Sequence, residues 1–175
     1  SSEERFEKLD RELKRTHEEL ERAIRELKKD YERSLKRVEE ELKRLLDELE
    51  ELARRVGVDE KVLKEEEDER RRLREEVEKY KKDAKEELKR TDDKVRKYKE
   101  KSDRDRERAE DEVRKTGVVD TKVTETVRRV REENKRMLED VKRDVDRLRT
   151  SNEKVLRDIR RTVKRAKERL KELKE

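Results

Sequence analysis

Apolar residues recur along this chain at a regular 18-residue interval. The first third contains four such series: Phe6, Ile24 and Leu42; Leu9, Leu27 and Leu45; Leu13, Tyr31 and Leu49; Leu20, Val38 and Val56. An α-helix has about 3.6 residues per turn, so five turns take about 18 residues and return a side chain to the same angular position. A heptad repeat would impose a left-handed supercoil. The 18-residue interval instead predicts straight helices with almost no supercoil.

The composition would suggest disorder if this interval were ignored. Of the 175 residues, 63% are charged and 26% are hydrophobic, and the chain contains no Pro and no Cys. Chains with so little apolar surface are often disordered, but apolar residues placed at helical period indicate long helices. The lack of Cys excludes disulfides, thiolate catalysis and zinc-thiolate sites.

The two glycines of the chain divide it into near-thirds. Gly57 and Gly117 each follow a long periodic segment, where a left-handed residue commonly ends a helix. Asp59 and Asp120 follow them as candidate N-caps, and Val58 could pack on Leu63 as a hydrophobic staple. Ser1 with Glu4 offers a capping box to the first helix. We therefore expect helices over about 2–56, 60–116 and 121–175, joined by turns at the two glycines.

The second and third segments repeat the same interval, for example in Val77, Val95 and Val113 and in Val123, Val141 and Ile159. Short turns make neighbouring helices antiparallel. The sequence therefore predicts an all-α fold: one elongated, nearly untwisted antiparallel three-helix bundle with up-down-up topology, spanning residues 1–175 as a single domain.

The whole chain resembles de novo designed, parametrically generated, untwisted three-helix bundles with 18-residue repeats. The resemblance rests on the uninterrupted repeats, the similar turns around the two glycines, the lack of Pro and Cys, and surfaces filled with Glu, Lys and Arg. These features follow design rules for patterning, capping and surface charge. The resemblance implies a hyperstable monomeric scaffold without a natural biochemical activity. Natural spectrin-like or coiled-coil spacer rods are similar in outline and remain the alternative.

Several polar residues fall at core positions of the stripe. They are Thr16, His17, Ser34, Tyr80, Thr91, Tyr98, Ser102, Asn134 and Asn152. Antiparallel pairing about the two turns matches residue i of the first helix with about 115 − i on the second and about 120 + i on the third. One predicted layer then groups Thr16 or His17 with Tyr98, Ser102 and Asn134. The other groups Ser34 with Tyr80, Ala84 and Asn152.

These layers suggest a structural role. A buried amide or hydroxyl without a partner costs about 1–3 kcal/mol, so such groups are expected to bond to each other or to water. Our hypothesis is that the layers fix helix register, as a buried Asn does in coiled coils. Alternatively, the asparagines lie at the edge of the stripe in contact with water. We expect the side chains of Arg70 and Arg106 to extend along the apolar surface to solvent. We expect Glu66, which is close to a turn, to be in contact with solvent.

Catalysis and cofactor binding find little support in the sequence. His17 is the only histidine, and it lies in no recognisable metal-ligand spacing. The chain contains 53 Asp and Glu residues, so two carboxylates that lie close together are not evidence of a catalytic site. A thin helical bundle offers few clefts that could shift pKa values. We expect no enzyme activity, no cofactor and no metal.

The charge distribution bears on possible partners. After Gly117 there are 20 basic and 13 acidic residues, a net charge of +7. Such a segment could adhere weakly and non-specifically to polyanions, although acidic residues are interleaved throughout. No apolar run approaches the length of a membrane span, and the N-terminus does not look like a signal peptide. We expect a soluble monomer, made by recombinant cytoplasmic expression, that requires no partner. A sparse middle helix that promotes self-association is the alternative.

Overall fold

The computed structural model describes residues 2–57, 59–117 and 120–174, and side chains from 3 to 173 within those ranges. Helix α1 spans Ser2–Val56, α2 spans Glu60–Thr116 and α3 spans Asp120–Lys174. No strand occurs within these ranges. The predicted all-α, three-helix fold is confirmed. Helix α3 begins at Asp120, one residue before the predicted start, a difference within the usual ambiguity of helix ends.

Both glycines end their helices in the left-handed conformation. Gly57 has φ of 65° and Gly117 has φ of 70°. The amide of Gly57 donates to the carbonyl of Ala53 at 3.2 Å, and that of Gly117 donates to the carbonyl of Val113 at 2.8 Å. A single bond of this kind satisfies one carbonyl of the last turn and defines the αL cap. A residue with a Cβ would be strained at either position.

Asp59 caps the start of α2. Its Oδ1 accepts a hydrogen bond from the amide of Val62 at 3.0 Å, and its carbonyl accepts one from the amide of Leu63 at 3.0 Å. This is the bonding expected of an N-cap aspartate. Asp120 is the first residue of α3, and its carboxylate forms an ion pair with Arg5.

Two proposed capping interactions involve Ser1 and Val58, which lie outside the described residues. Leu63, the proposed staple partner of Val58, keeps 41% of its surface exposed.

The chain divides into two compact units, each of which contains a segment of all three helices. The first unit is Ser1–Lys29 with Glu87–Val145, and the second is Asp30–Glu86 with Asp146–Glu175. In each unit the helix contacts are those of a three-helix bundle. The apolar stripe supplies the core in both, with its largest fully buried side chains at Leu9, Leu20, Leu49, Leu73, Ile159 and Leu170.

Interhelical contacts give the register within each unit. In the first unit Asp10 of α1 pairs with Arg106 of α2, and Glu21 pairs with the earlier residue Lys99, so α1 and α2 are antiparallel there. Helix α3 runs parallel to α1 at an offset of 119 in residue number, as the ion pair of Glu12 with Arg131 shows. In the second unit Asp30 pairs with Arg149 at the same offset. The offset expected from the sequence was about 120.

Candidate functional site: polar layers in the core

The 18-residue repeat places three sets of residues at equivalent positions, and we name each set after its most informative polar residue. The His17 layer, in the first unit, consists of Thr16, His17, Tyr98, Ser102 and Asn134. The Asn152 layer, in the second unit, consists of Ser34, Leu35, Tyr80, Ala84 and Asn152. The Glu66 layer, also in the second unit, consists of Leu52, Ala53, Val62, Glu66 and Leu170.

In the Asn152 layer a single amide connects all three helices. Asn152 of α3 is 5% exposed, and its Nδ2 donates to the backbone carbonyl of Ser34 on α1 at 2.9 Å and to the Tyr80 hydroxyl on α2 at 3.1 Å. An amide nitrogen carries two hydrogens, so both donors are used. Burial raises the pKa of Tyr80, which keeps its hydroxyl neutral. The side chain of Ser34 is half-buried, and only its backbone carbonyl takes part.

In the His17 layer the imidazole bonds to a serine across the α1–α2 interface. His17 Nε2 lies 2.7 Å from Ser102 Oγ, and Ser102 is fully buried. The Ser102 hydroxyl donates its only hydrogen to the carbonyl of Lys99 at 2.8 Å. Its oxygen must therefore accept from His17, which places the proton of neutral His17 on Nε2. Burial lowers the pKa of His17, against an opposing effect of the Asp103 carboxylate.

The other members of the His17 layer bond elsewhere. Tyr98 makes an edge-to-face contact with the His17 ring, with centroids 6.5 Å apart, but its hydroxyl donates to the carbonyl of Val130 at 3.0 Å. Asn134 Nδ2 donates to Glu19 Oε2 at 3.2 Å, while the buried Asn134 Oδ1 has no hydrogen-bond partner in the described protein. Thr16 donates to the carbonyl of Leu13 within its own helix. The residues of this predicted layer are thus close together but do not form one connected network.

Glu66 is buried, and the expectation that it would be wet is wrong. Only 4% of its surface is exposed, and Oε2 has no hydrogen-bond partner among the described residues. Arg169 Nη2 lies 3.9 Å from Oε1. Burial raises the pKa of Glu66, the neighbouring Glu69 raises it further, and Arg169 opposes both. A position near a turn does not guarantee solvent, because α3 packs over this end of α2.

Thr91 bonds to a residue that the sequence analysis did not identify. The Thr91 hydroxyl donates to Asp144 Oδ2 and lies 3.0 Å from the carbonyl of Glu87. Asp144, Asp105 and Thr126 are all buried polar residues outside the predicted set. Thr126 and Asp144 are separated by one 18-residue repeat, so the repeat could have identified both as polar residues at core positions.

Arg106 has a more definite environment than a stem extended along the apolar surface. Its guanidinium donates to both carboxylate oxygens of Asp10, at 2.7 and 3.0 Å, and pairs with Glu110. The same group lies 5.3 Å from the ring centroid of Phe6, within cation–π range. Arg70 is half-buried and lines a groove near Gly57.

The repeat extends from the core to the ion pairs between α1 and α3. Carboxylates at 12, 30 and 48 bond to cations at 131, 149 and 167, in the pairs Glu12–Arg131, Asp30–Arg149 and Glu48–Lys167. Successive pairs are separated by one 18-residue repeat on both helices, and each joins residues at an offset of 119. The first pair belongs to the first unit and the other two to the second.

The described ranges contain neither a metal-binding cluster nor a membrane span. There, no group of three or more His, Cys, Asp or Glu side chains is placed to hold a metal ion. None of the three helices, over the residues described, has an apolar stretch long enough to cross a membrane.

Comparison of the chain with protein-family models, curated proteins and solved structures found no match in any of the three.

Proposed function

We propose that this chain is a structural scaffold of designed origin, whose function is to hold three helices in one fixed register. The contact that carries this proposal is the Asn152 amide, which donates to α1 and α2 at one level of the second unit. An apolar stripe with an 18-residue period would tolerate sliding, because the same surface recurs after every five turns. An amide with two specific acceptors does not tolerate sliding, because displacement of a helix would leave the amide hydrogens buried without acceptors.

Designed origin is supported by the reach of the repeat. Natural helical proteins place apolar residues periodically, but here the interval also relates the polar core positions and three interhelical ion pairs. Such agreement between core pattern, surface charge and caps is what design rules aim for.

The register can be measured directly by spin labelling. Cysteines replacing the exposed residues Glu40 of α1 and Arg161 of α3 would carry nitroxide labels in the otherwise cysteine-free chain. With Asn152 present, we expect one narrow distance distribution. With Asn152→Leu, we expect a broader distribution or a second distance, because the apolar surface then permits sliding. Glu153→Leu is the matched control, since residue 153 is exposed and should not alter the distribution. A single unchanged distance in Asn152→Leu would show that Asn152 does not set the register.

A spacer that binds other proteins is the second candidate. It is favoured by the two exposed leucines of the second unit, Leu63 at 41% and Leu173 at 55%. Sedimentation at several concentrations tests whether these leucines form a surface through which copies of the chain associate. A scaffold stays a monomer of 21.7 kDa at all concentrations. Self-association that Leu63→Glu or Leu173→Glu removes would favour an interaction surface instead.

A further inference from the structure

A groove of about 410 Å³ lies between α2 and α3 in the first unit. Its apolar residues are Tyr98, whose ring is buried, and Met137, which is half-buried. The Tyr98 ring is covered and its hydroxyl is bonded to the carbonyl of Val130, so the accessible apolar surface of the groove is mainly the thioether side chain of Met137.

The rim of this groove is basic. Lys94, Lys97 and Lys101 come from α2, and Arg136 comes from α3. All four side chains are exposed. Among the described residues, Lys94, Lys97 and Arg136 form no ion pair or hydrogen bond with their side chains, so three cations face solvent unpaired.

Two acidic residues, Glu133 and Asp140, also line the groove, and each has a cation close to one carboxylate oxygen, while the buried Glu133 Oε2 has no hydrogen-bond partner among the described residues. Glu133 accepts from Lys101 at 3.1 Å, and Asp140 lies 3.6 Å from the guanidinium of Arg143. The groove therefore keeps an excess of positive charge above an apolar floor.

We propose that this groove binds a small aromatic anion, an aryl sulfonate or aryl carboxylate. The aromatic ring would pack on the Met137 thioether, because sulfur makes favourable contacts with rings. The anionic group would bond to Lys97 and Arg136, since hydrogen bonds between charged partners are the stronger ones. A bare inorganic anion would gain nothing from the floor, and a neutral aromatic would gain little from the rim.

Anilinonaphthalene sulfonate is the probe, because its fluorescence reports binding directly. We expect saturable binding of one probe per chain. The double variant Lys97→Glu with Arg136→Glu should raise Kd about tenfold, because two attractions become repulsions. Met137→Glu should weaken binding to a similar extent, whereas Met137→Leu should keep it. Far-UV circular dichroism would verify that each variant is folded.

The matched control reverses two charges outside the groove. Lys89→Glu with Lys142→Glu makes the same change in net charge at exposed positions of the same two helices. We expect Kd to change by less than about threefold, because separated exposed charges are screened. An equal loss in the control would reduce the effect to overall charge and overturn the site. Equally tight binding of uncharged phenylnaphthylamine to the unmodified chain would overturn the role of the rim.

Discussion

The His17 layer and the Asn152 layer occupy equivalent positions of the repeat, yet they use their asparagines differently. In the second unit, both Nδ2 hydrogens of Asn152 reach neighbouring helices. In the first unit, Asn134 bonds to the side chain of Glu19, and its buried Oδ1 has no partner among the described residues. The same residue at the same point of the stripe is satisfied in one unit and only partly satisfied in the other.

The difference lies in the tyrosine. Tyr80 offers its hydroxyl oxygen to Asn152, whereas Tyr98 directs its hydroxyl to the carbonyl of Val130. The Tyr98 ring packs edge-to-face against His17, for which the second unit has Leu35. Periodicity therefore places a polar group at a core position, and the neighbouring side chains decide whether its hydrogen bonds are completed.

The largest expected effect comes from replacing the two asparagines by leucine. Asn152→Leu should lower the free energy of unfolding by about 1–3 kcal/mol, because it leaves the buried Tyr80 hydroxyl without its donor. Asn134→Leu should be neutral or stabilising, because it removes a buried oxygen that lacks a partner. Denaturant unfolding followed by circular dichroism measures both. Equal losses in the two variants would mean that the layers are energetically alike, contrary to the hydrogen-bond geometry.

The Glu66 layer extends the comparison to a charged residue. Ser102, Ala84 and Glu66 occupy one position of the 18-residue repeat on α2, and only Glu66 buries a carboxylate there. Because its pKa is raised in the folded protein, Glu66 favours folding below its unfolded-state pKa, and this contribution is lost as pH rises through the folded-state pKa.

Glu66→Gln should therefore raise the free energy of unfolding at neutral pH by about 1–2 kcal/mol, since it removes a buried charge at almost constant shape. The gain should shrink as pH falls and the carboxyl of Glu66 becomes protonated. Unfolding curves across the acidic range measure this dependence. The exposed Glu67, changed to Gln, is the control and should show little difference at any pH. A gain that stays constant with pH would contradict the raised pKa.

Sequence periodicity was sufficient for the fold but only partly for the layers. The helices and both glycine caps follow from local signals, namely an interval matched to the helical turn and glycines at positive φ. The partners within a layer depend on rotamers and on small differences in offset between helices. The proximity of His17 to Ser102 was therefore predictable, whereas the choice of Val130 by Tyr98 was not. The burial of Glu66 does not follow from the sequence, because its position near a turn does not reveal that α3 covers this end of α2.

A double-mutant cycle on His17 and Ser102 would sharpen the contrast with Leu35 and Ala84. His17→Leu with Ser102→Ala gives the first unit the residues that the second unit has at these positions. We expect a coupling energy of about 1 kcal/mol between the two sites, the usual value for one hydrogen bond. The double variant should be close to the unmodified protein in stability, because both partners are removed together. A coupling energy near zero would mean that the His17–Ser102 bond contributes nothing to the first unit.

The smallest expected difference lies in the ion pairs of the repeat, one from each unit. Glu12 is 11% exposed and bonds to Arg131 through both oxygens, at 2.7 and 3.4 Å, while Glu48 is 41% exposed and bonds to Lys167 through one. Each carboxylate also pairs with one arginine on its own helix, Glu12 with Arg15 and Glu48 with Arg44. The Glu12–Arg131 pair should be stronger than the Glu48–Lys167 pair, because Glu12 is less exposed to solvent and its partner has a planar guanidinium.

We therefore expect Glu12→Gln to cost more than Glu48→Gln, both within about 0.2–1 kcal/mol at neutral pH. The hydrogen bond from Arg131 lowers the pKa of Glu12, so the stabilisation is present above the unfolded-state pKa and is lost as pH falls through the folded-state pKa. Unfolding curves at neutral and acidic pH, repeated at high salt, measure both effects. A larger cost for Glu48→Gln would show that exposure and guanidinium geometry do not rank these pairs. The equivalence of the ion pairs would then be one of position only, as it already is for the two asparagines.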